Sequence, residues 1–248
     1  MAAPAKLESQ PPKVIDLLAW DAEISKTGAN YEKLYEQISQ ASKDSPENVE
    51  ILSRLAQATF LVTLNMNDPK EIKAKTTESL EIAEKVVAKD SNNFRGHLWQ
   101  AAASGKIALL GVSVPEKIKY SIAFLRALAV CIRLNPKDPM VLFMEGRFAL
   151  ALSSLTEEEK AAIRKELPLP DINWAEAEAK LRESIAINGA LIDGYVTLAY
   201  LLVKMKKYAE AKEVIVKGLS QQLVTKSDQE VAQELKSLQT RINNIVPQ

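Results

Sequence analysis

Apolar residues recur at three- and four-residue spacing along nearly the whole chain, and strand-like alternation is rare, so the pattern predicts an all-helical protein. The stretch "YVTLAYLLVKMKKYAEAKEVIVKGL" from Tyr195 to Leu219 is representative. Tyr195, Leu198, Ala199 and Leu202 form a stripe of large and small residues on one helix face. The apolar register breaks at "KMKKY", and a second helix resumes it with Ala211, Ile215 and Gly218. The small residues mark where two antiparallel helices approach closely. No apolar run reaches the roughly 18 residues that a membrane-crossing helix needs. The longest candidate, "SIAFLRALAVCIRL", carries Arg126 and Arg133.

The same two-helix pattern recurs upstream. "PMVLFMEGRFALAL" (Leu142, Gly146, Ala149) pairs with "WAEAEAKLRESIAIN" (Trp174, Ala177, Leu181, Ser184, Ile187). "GHLWQAAAS" (His97, Ala101) pairs with "IAFLRALAVCIRLNP" (Leu128, Cys131), and "ILSRLAQATF" (Leu52, Leu55, Ala56) pairs with "SLEIAEKVVAKD" (Ala83, Val86). A weaker pair turns at Gly28. The unit resembles the tetratricopeptide repeat, a helix–turn–helix of about 34 residues. The expected architecture is an all-α, right-handed α-solenoid of tetratricopeptide-like helical hairpins with a C-terminal capping helix. Residues 1–13 are expected to form a flexible lead-in. A single domain follows over 14–248, with repeats at about 14–42, 47–91, 93–136, 139–188 and 192–220. The capping helix is expected at 227–244, opened by a Ser227/Glu230 capping box and buried through Val231, Leu235, Leu238 and Ile242.

Several features depart from a uniform array. Phe124 stands where the repeat needs a small residue, and Glu145 where Leu or Ile is usual. Residues 105–117 and 151–173 read as long links, the second with its own capped helix, "TEEEKAAIRKE", before "LPLPDIN". Local distortion or a covering loop is expected there.

Composition narrows the chemistry. Thirty-two basic residues balance thirty-two acidic ones, which argues against broad binding to nucleic acid or anionic membrane. One histidine, His97, and one cysteine, Cys131, lie far apart and on packing positions, so no metal site is expected. A lone cysteine also suits a reducing compartment. "SGK" at 104–106 lacks the glycine-rich frame of a phosphate loop. Glu157, Glu158 and Glu159 suit a helix N-terminus, with Thr156 and Glu159 forming its capping box. With no catalytic constellation, the expectation is a non-enzymatic binding protein without a cofactor.

In tetratricopeptide arrays the first helix of each pair lines a concave groove. In this register the groove begins with the polar Ser53 and Gln57, then Phe60, Leu98, Ala102 and Lys106. It continues with the candidate binding residues Met140, Phe143, Arg147, Leu150, Val196, Tyr200, Val203 and Lys204, to which Leu98 also belongs. Its later half is apolar with a few cations. Three occupants compete for it: the chain's own C-terminal helix or 151–173 insert, a partner helix with apolar anchors, or a phospholipid with its phosphate near Arg147 or Lys204. The Lys/Asn/Arg carboxylate clamp of chaperone-binding tetratricopeptide domains is missing, because the equivalent positions are Ser53, Gln57, Leu98, Ala102, Phe143, Arg147, Val196 and Tyr200. A basic patch suited to an acidic partner is offered by Lys204, Lys206, Lys207, Lys212 and Lys217, and a second by Lys70, Lys73 and Lys75.

"EKLYEQISQ", "ILSRLAQA", "SNNFRGHLWQAAA", "AVCIRLNPKDP" and the prolines before "WAEAEAKL" together resemble the regulator of microtubule dynamics family over roughly 14–243. The resemblance implies a tetratricopeptide-like fold, association with tubulin or microtubules, and roles in spindle function and chromosome segregation. It also implies a cytoplasmic, cytoskeletal location at the spindle and its poles. A membrane-anchored mitochondrial member of that family binds and transfers phospholipids. Its N-terminal anchor has no counterpart in this sequence, so a tethering role is not expected. The leading expectation is a microtubule-associated regulator, and the alternative is a phospholipid-binding groove.

Overall fold

The computed structural model describes residues 16–26, 28–111 and 113–245. The lead-in expected at 1–13 lies outside the described residues. The described residues form α-helices that pack as successive antiparallel pairs. These are α1 (Leu17–Ile24) with α2 (Tyr31–Asp44), a loose pair in which α2 packs mainly on the next helix, then α3 (Val49–Val62) with α4 (Pro69–Lys89), and α5 (Phe94–Leu110) with α6 (Val114–Leu134). Next, α7 (Pro139–Ser154) pairs with α9 (Trp174–Ile187) across the short α8 (Glu157–Arg164). Then α10 (Ile192–Lys204) pairs with α11 (Tyr208–Leu219), and α12 (Lys226–Ile245) packs on both. This is an all-α solenoid.

Local chemistry sets the helix starts. Asn30, Asn48, Asp68, Asn93, Ser113, Asp138 and Asn173 each cap a helix, the side-chain oxygen accepting a first-turn N–H. Pro69, Pro115 and Pro139 sit in first turns, where no N–H is missed. Gly28 turns the chain between α1 and α2 with φ +81°, a conformation that glycine adopts without strain.

One link differs from expectation. Residues 105–117 are not a long loop: α5 runs on to Leu110 and α6 begins at Val114. The added residues, "GKIALL" and "VPEKIK", mostly favour helix and lengthen both members of the pair. The other link does form α8, with the Thr156/Glu159 capping box in place. After it, Leu167, Pro168, Pro170 and Ile172 cover a cleft of about 420 Å³ between α6, α7 and α9. Glu145, the misplaced acid, is accommodated at this cleft by an ion pair with Lys180.

The last helix also starts differently. α12 begins at Lys226, and its capping box is made by Thr225 and Asp228 rather than Ser227 and Glu230. Asp228 N–H donates to Thr225 Oγ1 at 3.0 Å, and Asp228 Oδ2 accepts from Thr225 N–H at 2.8 Å. That start lies against the opposite end of the array. Lys226 N–H donates to Asn65 Oδ1 at 3.4 Å, in the 3-10 turn Thr63–Asn65 that closes α3, and Val224 lies beside Gly28. The chain thus returns to its first pairs before α12 caps the last one.

Candidate functional site: the inner face of the array

Two segments of the chain itself lie along the inner face. At its N-terminal end, α1 crosses α3 and α5 and is held by one carboxylate. Arg54 Nε donates to Asp21 Oδ1 at 3.0 Å and Arg54 Nη2 to Asp21 Oδ2 at 2.6 Å, a two-pronged fork. Arg95 Nη1 donates to the same Oδ1 at 2.7 Å and to Gln57 Oε1 at 3.0 Å. Arg54 is fixed from its other side by Glu50, whose Oε2 accepts from Nη1 at 2.7 Å. Burial alone would raise the Asp21 carboxyl, but hydrogen bonds from Arg54 and Arg95 outweigh it and hold it below its ordinary 3.8.

These three residues were missed in the sequence. The chaperone-type clamp is missing at its eight equivalent positions, Ser53, Gln57, Leu98 and Ala102 among them, whereas the structure gathers two arginines on a carboxylate from neighbouring positions. Arg54 precedes Gln57 by three residues and Arg95 precedes Leu98 by three, so each guanidinium shares a helix face with a groove position. The available signal was an arginine in each of two successive first helices, three residues before a groove position. Its carboxylate, 33 residues before Arg54, could not be read locally.

In the C-terminal half, the expected groove residues divide. Leu98, Phe143 and Val196 are buried in one continuous cluster with Val231, Leu235, Leu238 and Ile242 of α12, while Met140, Leu150, Tyr200 and Val203 pack around it half-buried. Beside this apolar wall lies a charged seam. Arg147 Nη1 is 3.9 Å from Asp193 Oδ1, and the Arg147 guanidinium sits over the Phe143 ring at 5.6 Å. Lys106 donates to Thr63 Oγ1 at 2.7 Å and lies over the Phe60 ring. Enclosure within the array pushes the Asp193 carboxyl up. Arg147 and Lys106 oppose that shift, and Asp228 and Glu234 of α12 reinforce it. The side chain still keeps 36% of its surface open to solvent. Burial, with the Glu234 carboxylate beside it, pushes the Tyr200 hydroxyl up to about 12.

The lysines of the expected basic patch are not equivalent. Lys204, Lys206 and Lys217 are exposed and make no ion pair among the described residues. Lys207 is bound to Glu178 at 2.7 Å with Glu210 at 3.8 Å, and Lys212 is half-buried with a partner of its own. Lys204 and Lys206 flank the α10–α11 turn, where Lys206 takes φ 61°. Lys217 stands in the last turn of α11, about 15 Å away along that helix. Of the five, three are left exposed and unpaired among the described residues: a two-lysine turn and an outlying cation. In the second cluster Lys70 is exposed, whereas Lys73 pairs with Glu116 at 2.6 Å and Lys75 with Glu78 at 2.8 Å.

The remaining candidates have structural surroundings. His97 is buried with Nε2 3.0 Å from the Ser91 carbonyl. Burial pushes the Cys131 thiol up to about 12, which removes its nucleophilic form at neutral pH. Among the described residues no cluster of His, Cys, Asp or Glu is arranged to hold a metal ion, and no helix is long and apolar enough to cross a membrane.

Comparison with known proteins gives a match to the family described as regulator of microtubule dynamics protein 1-3 over residues 15–243. Regulator of microtubule dynamics protein 2 of Mus musculus is 23% identical over 228 residues, covering 90% of this chain and 55% of the relative. Regulator of microtubule dynamics protein 3 of Bos taurus is 25% identical over 192 residues, covering 77% of this chain and 41% of the relative. The chain spans about half the length of the curated relatives it matches. Among solved structures, a thermophilic tetratricopeptide repeat protein of Thermus thermophilus superposes with a TM-score of 0.60 at 18% identity, covering 90% of this chain and 96% of that one. That likeness is one of fold.

Proposed function

The chain belongs to the regulator of microtubule dynamics family, and from that membership we propose that it is a non-enzymatic binding protein that associates with microtubules and alters their growth and shrinkage. Roles in spindle function and chromosome segregation, at the spindle and its poles, follow from the same reading. The observation that carries it is the extent of the match, which runs from before α1 to near the end of α12 and so covers the array rather than a single generic repeat.

The geometry favours a particular mode. Among the lysines of the larger expected patch, those exposed and unpaired among the described residues gather at the end of α10, in the turn after it and on α11. Lys204 and Lys206 form an exposed pair at the α10–α11 turn, with Lys217 further along α11. An acidic polymer surface would meet these ammonium groups at long range, so the contact should weaken as salt shortens the screening distance. The phospholipid reading has less support, because Phe143, which with Leu150 and Val203 would hold its acyl chains, is buried in the core beside α12.

Co-sedimentation of the purified chain with assembled microtubules over a salt series tests the proposal. Pelleting at low ionic strength that falls as salt rises is the expected result. Absence of pelleting at low salt, or pelleting indifferent to salt, would contradict the electrostatic association.

A further inference from the structure

Arg54 and Arg95 come from successive first helices and converge on a carboxylate that neither helix supplies. Three features set this contact apart from an ordinary surface ion pair. First, the site is built: the Arg54 side chain is only 8% exposed, and Glu50 and Gln57 hold the two guanidinium groups in place from behind. A guanidinium so enclosed keeps Glu50 when Asp21 leaves, but its Nε and Nη2 donors are then unsatisfied, which is costly. Second, its occupant is lightly seated. α1 has eight residues, none of them fully buried: Leu17 and Trp20 rest half-buried on the core, and Leu18 is 78% exposed. A helix that short does not hold itself together in water. Third, the charges define the ligand. Without Asp21, two cations face Glu50 alone, which leaves one positive charge and three free donors: Arg54 Nε, Arg54 Nη2 and Arg95 Nη1. That arrangement takes one carboxylate, held by the two-pronged fork.

We propose that the Arg54–Arg95 pair is a binding site for a peptide carboxylate, from a side chain or a chain end, and that α1, through Asp21, is an intramolecular latch that occupies it until such a peptide displaces it. The site lies on the inner face, so the peptide would lie along α3 and α5 in the position α1 now takes. This goes beyond microtubule association and does not depend on it.

The test uses the whole chain and two fluorescent peptides, an oligoglutamate with an amidated C-terminus and a neutral peptide ending in a free carboxylate. These separate side-chain from terminal carboxylates as the group recognised. Asp21→Ala is expected to bind one of them about tenfold more tightly than the natural chain, because opening the latch no longer subtracts from affinity. Adding Arg95→Ala should remove that gain. In the unmutated chain, a saturating concentration of the same peptide should speed amide exchange across residues 17–24. The proposal is overturned if folded Asp21→Ala binds neither peptide better than the natural chain, if the gain survives Arg95→Ala, or if bound peptide leaves exchange in α1 unchanged. Failure of peptide capture beside intact microtubule pelleting removes this inference and leaves the proposed function standing.

Discussion

Gly146 of α7 lies so close to Leu181 of α9 that a β-carbon placed on it would stand 2.4 Å from Leu181 Cγ and 3.0 Å from the Ala177 carbonyl oxygen. The two helices touch through this missing side chain, and the fourth pair is fixed there. Gly146→Ala gains helix propensity of about 1 kcal/mol but forces the pair apart. We expect net destabilisation of about 1–3 kcal/mol in urea unfolding. Combining it with Leu181→Ala should cost less than the sum of the two changes, since the smaller residue makes room.

Phe124 shows how the array absorbs an oversized residue. Its Cδ2 lies 3.2 Å from where a β-carbon on Gly105 would be, and its ring lies 6.1 Å from that of Phe148. Here the large residue sits on the second helix and the glycine on the first, so the close approach is kept with the sizes exchanged. Phe124→Ala leaves Gly105 facing empty space, and a loss of about 2 kcal/mol is expected, below the range for a fully buried ring because Phe124 is half-buried.

Attachment of α1 should respond to acid in a defined direction. The Asp21 carboxyl is held below its ordinary 3.8 by Arg54 and Arg95. Its contribution is therefore complete above that ordinary value and is lost as pH falls through the lowered one. Amide exchange over residues 17–24 should be flat from neutral pH down to about 4 after correction for intrinsic rates, then accelerate. Asp21→Ala should remove that acid-dependent step.

Cys131 gives a check on packing. A buried thiol pushed up to about 12 presents almost no thiolate at pH 8. A thiol reagent should leave the native chain unlabelled and react once denaturant unfolds it. Fast labelling of the native chain would contradict the buried position.

Much of the fold was legible because a repeat prints its packing in the sequence. The spacing of Leu198, Ala199, Ala211 and Ile215 encodes a contact between neighbouring helices. Thr156 and Glu159 mark the start of α8 by chemistry that acts over three residues. What could not be read depends on distant partners. Asp21 is an ordinary exposed acid until α1 is laid across Arg54 and Arg95. The contact between Lys226 and Asn65 joins positions 161 residues apart. The length of the α5–α6 pair was misjudged for another reason: "GKIALLG" contains two glycines, and both fall in or beside a helix that packing against α6 sustains.

The basic patch was likewise only partly legible, because a row of lysines in sequence does not reveal which are neutralised. Lys207 is held by Glu178, 29 residues earlier, and only Lys204, Lys206 and Lys217 of the five are both exposed and unpaired among the described residues.

Those exposed lysines carry the most direct test of the account. Microtubule co-sedimentation at low salt should be compared between the natural chain and the Lys204→Glu/Lys206→Glu variant, with Lys43→Glu as a control at an exposed lysine outside both basic clusters. The account predicts that the double variant loses most of its pelleting while the control keeps most of it. Equal pelleting of the double variant and the natural chain would contradict the claim that the α10–α11 turn is where this protein meets the microtubule.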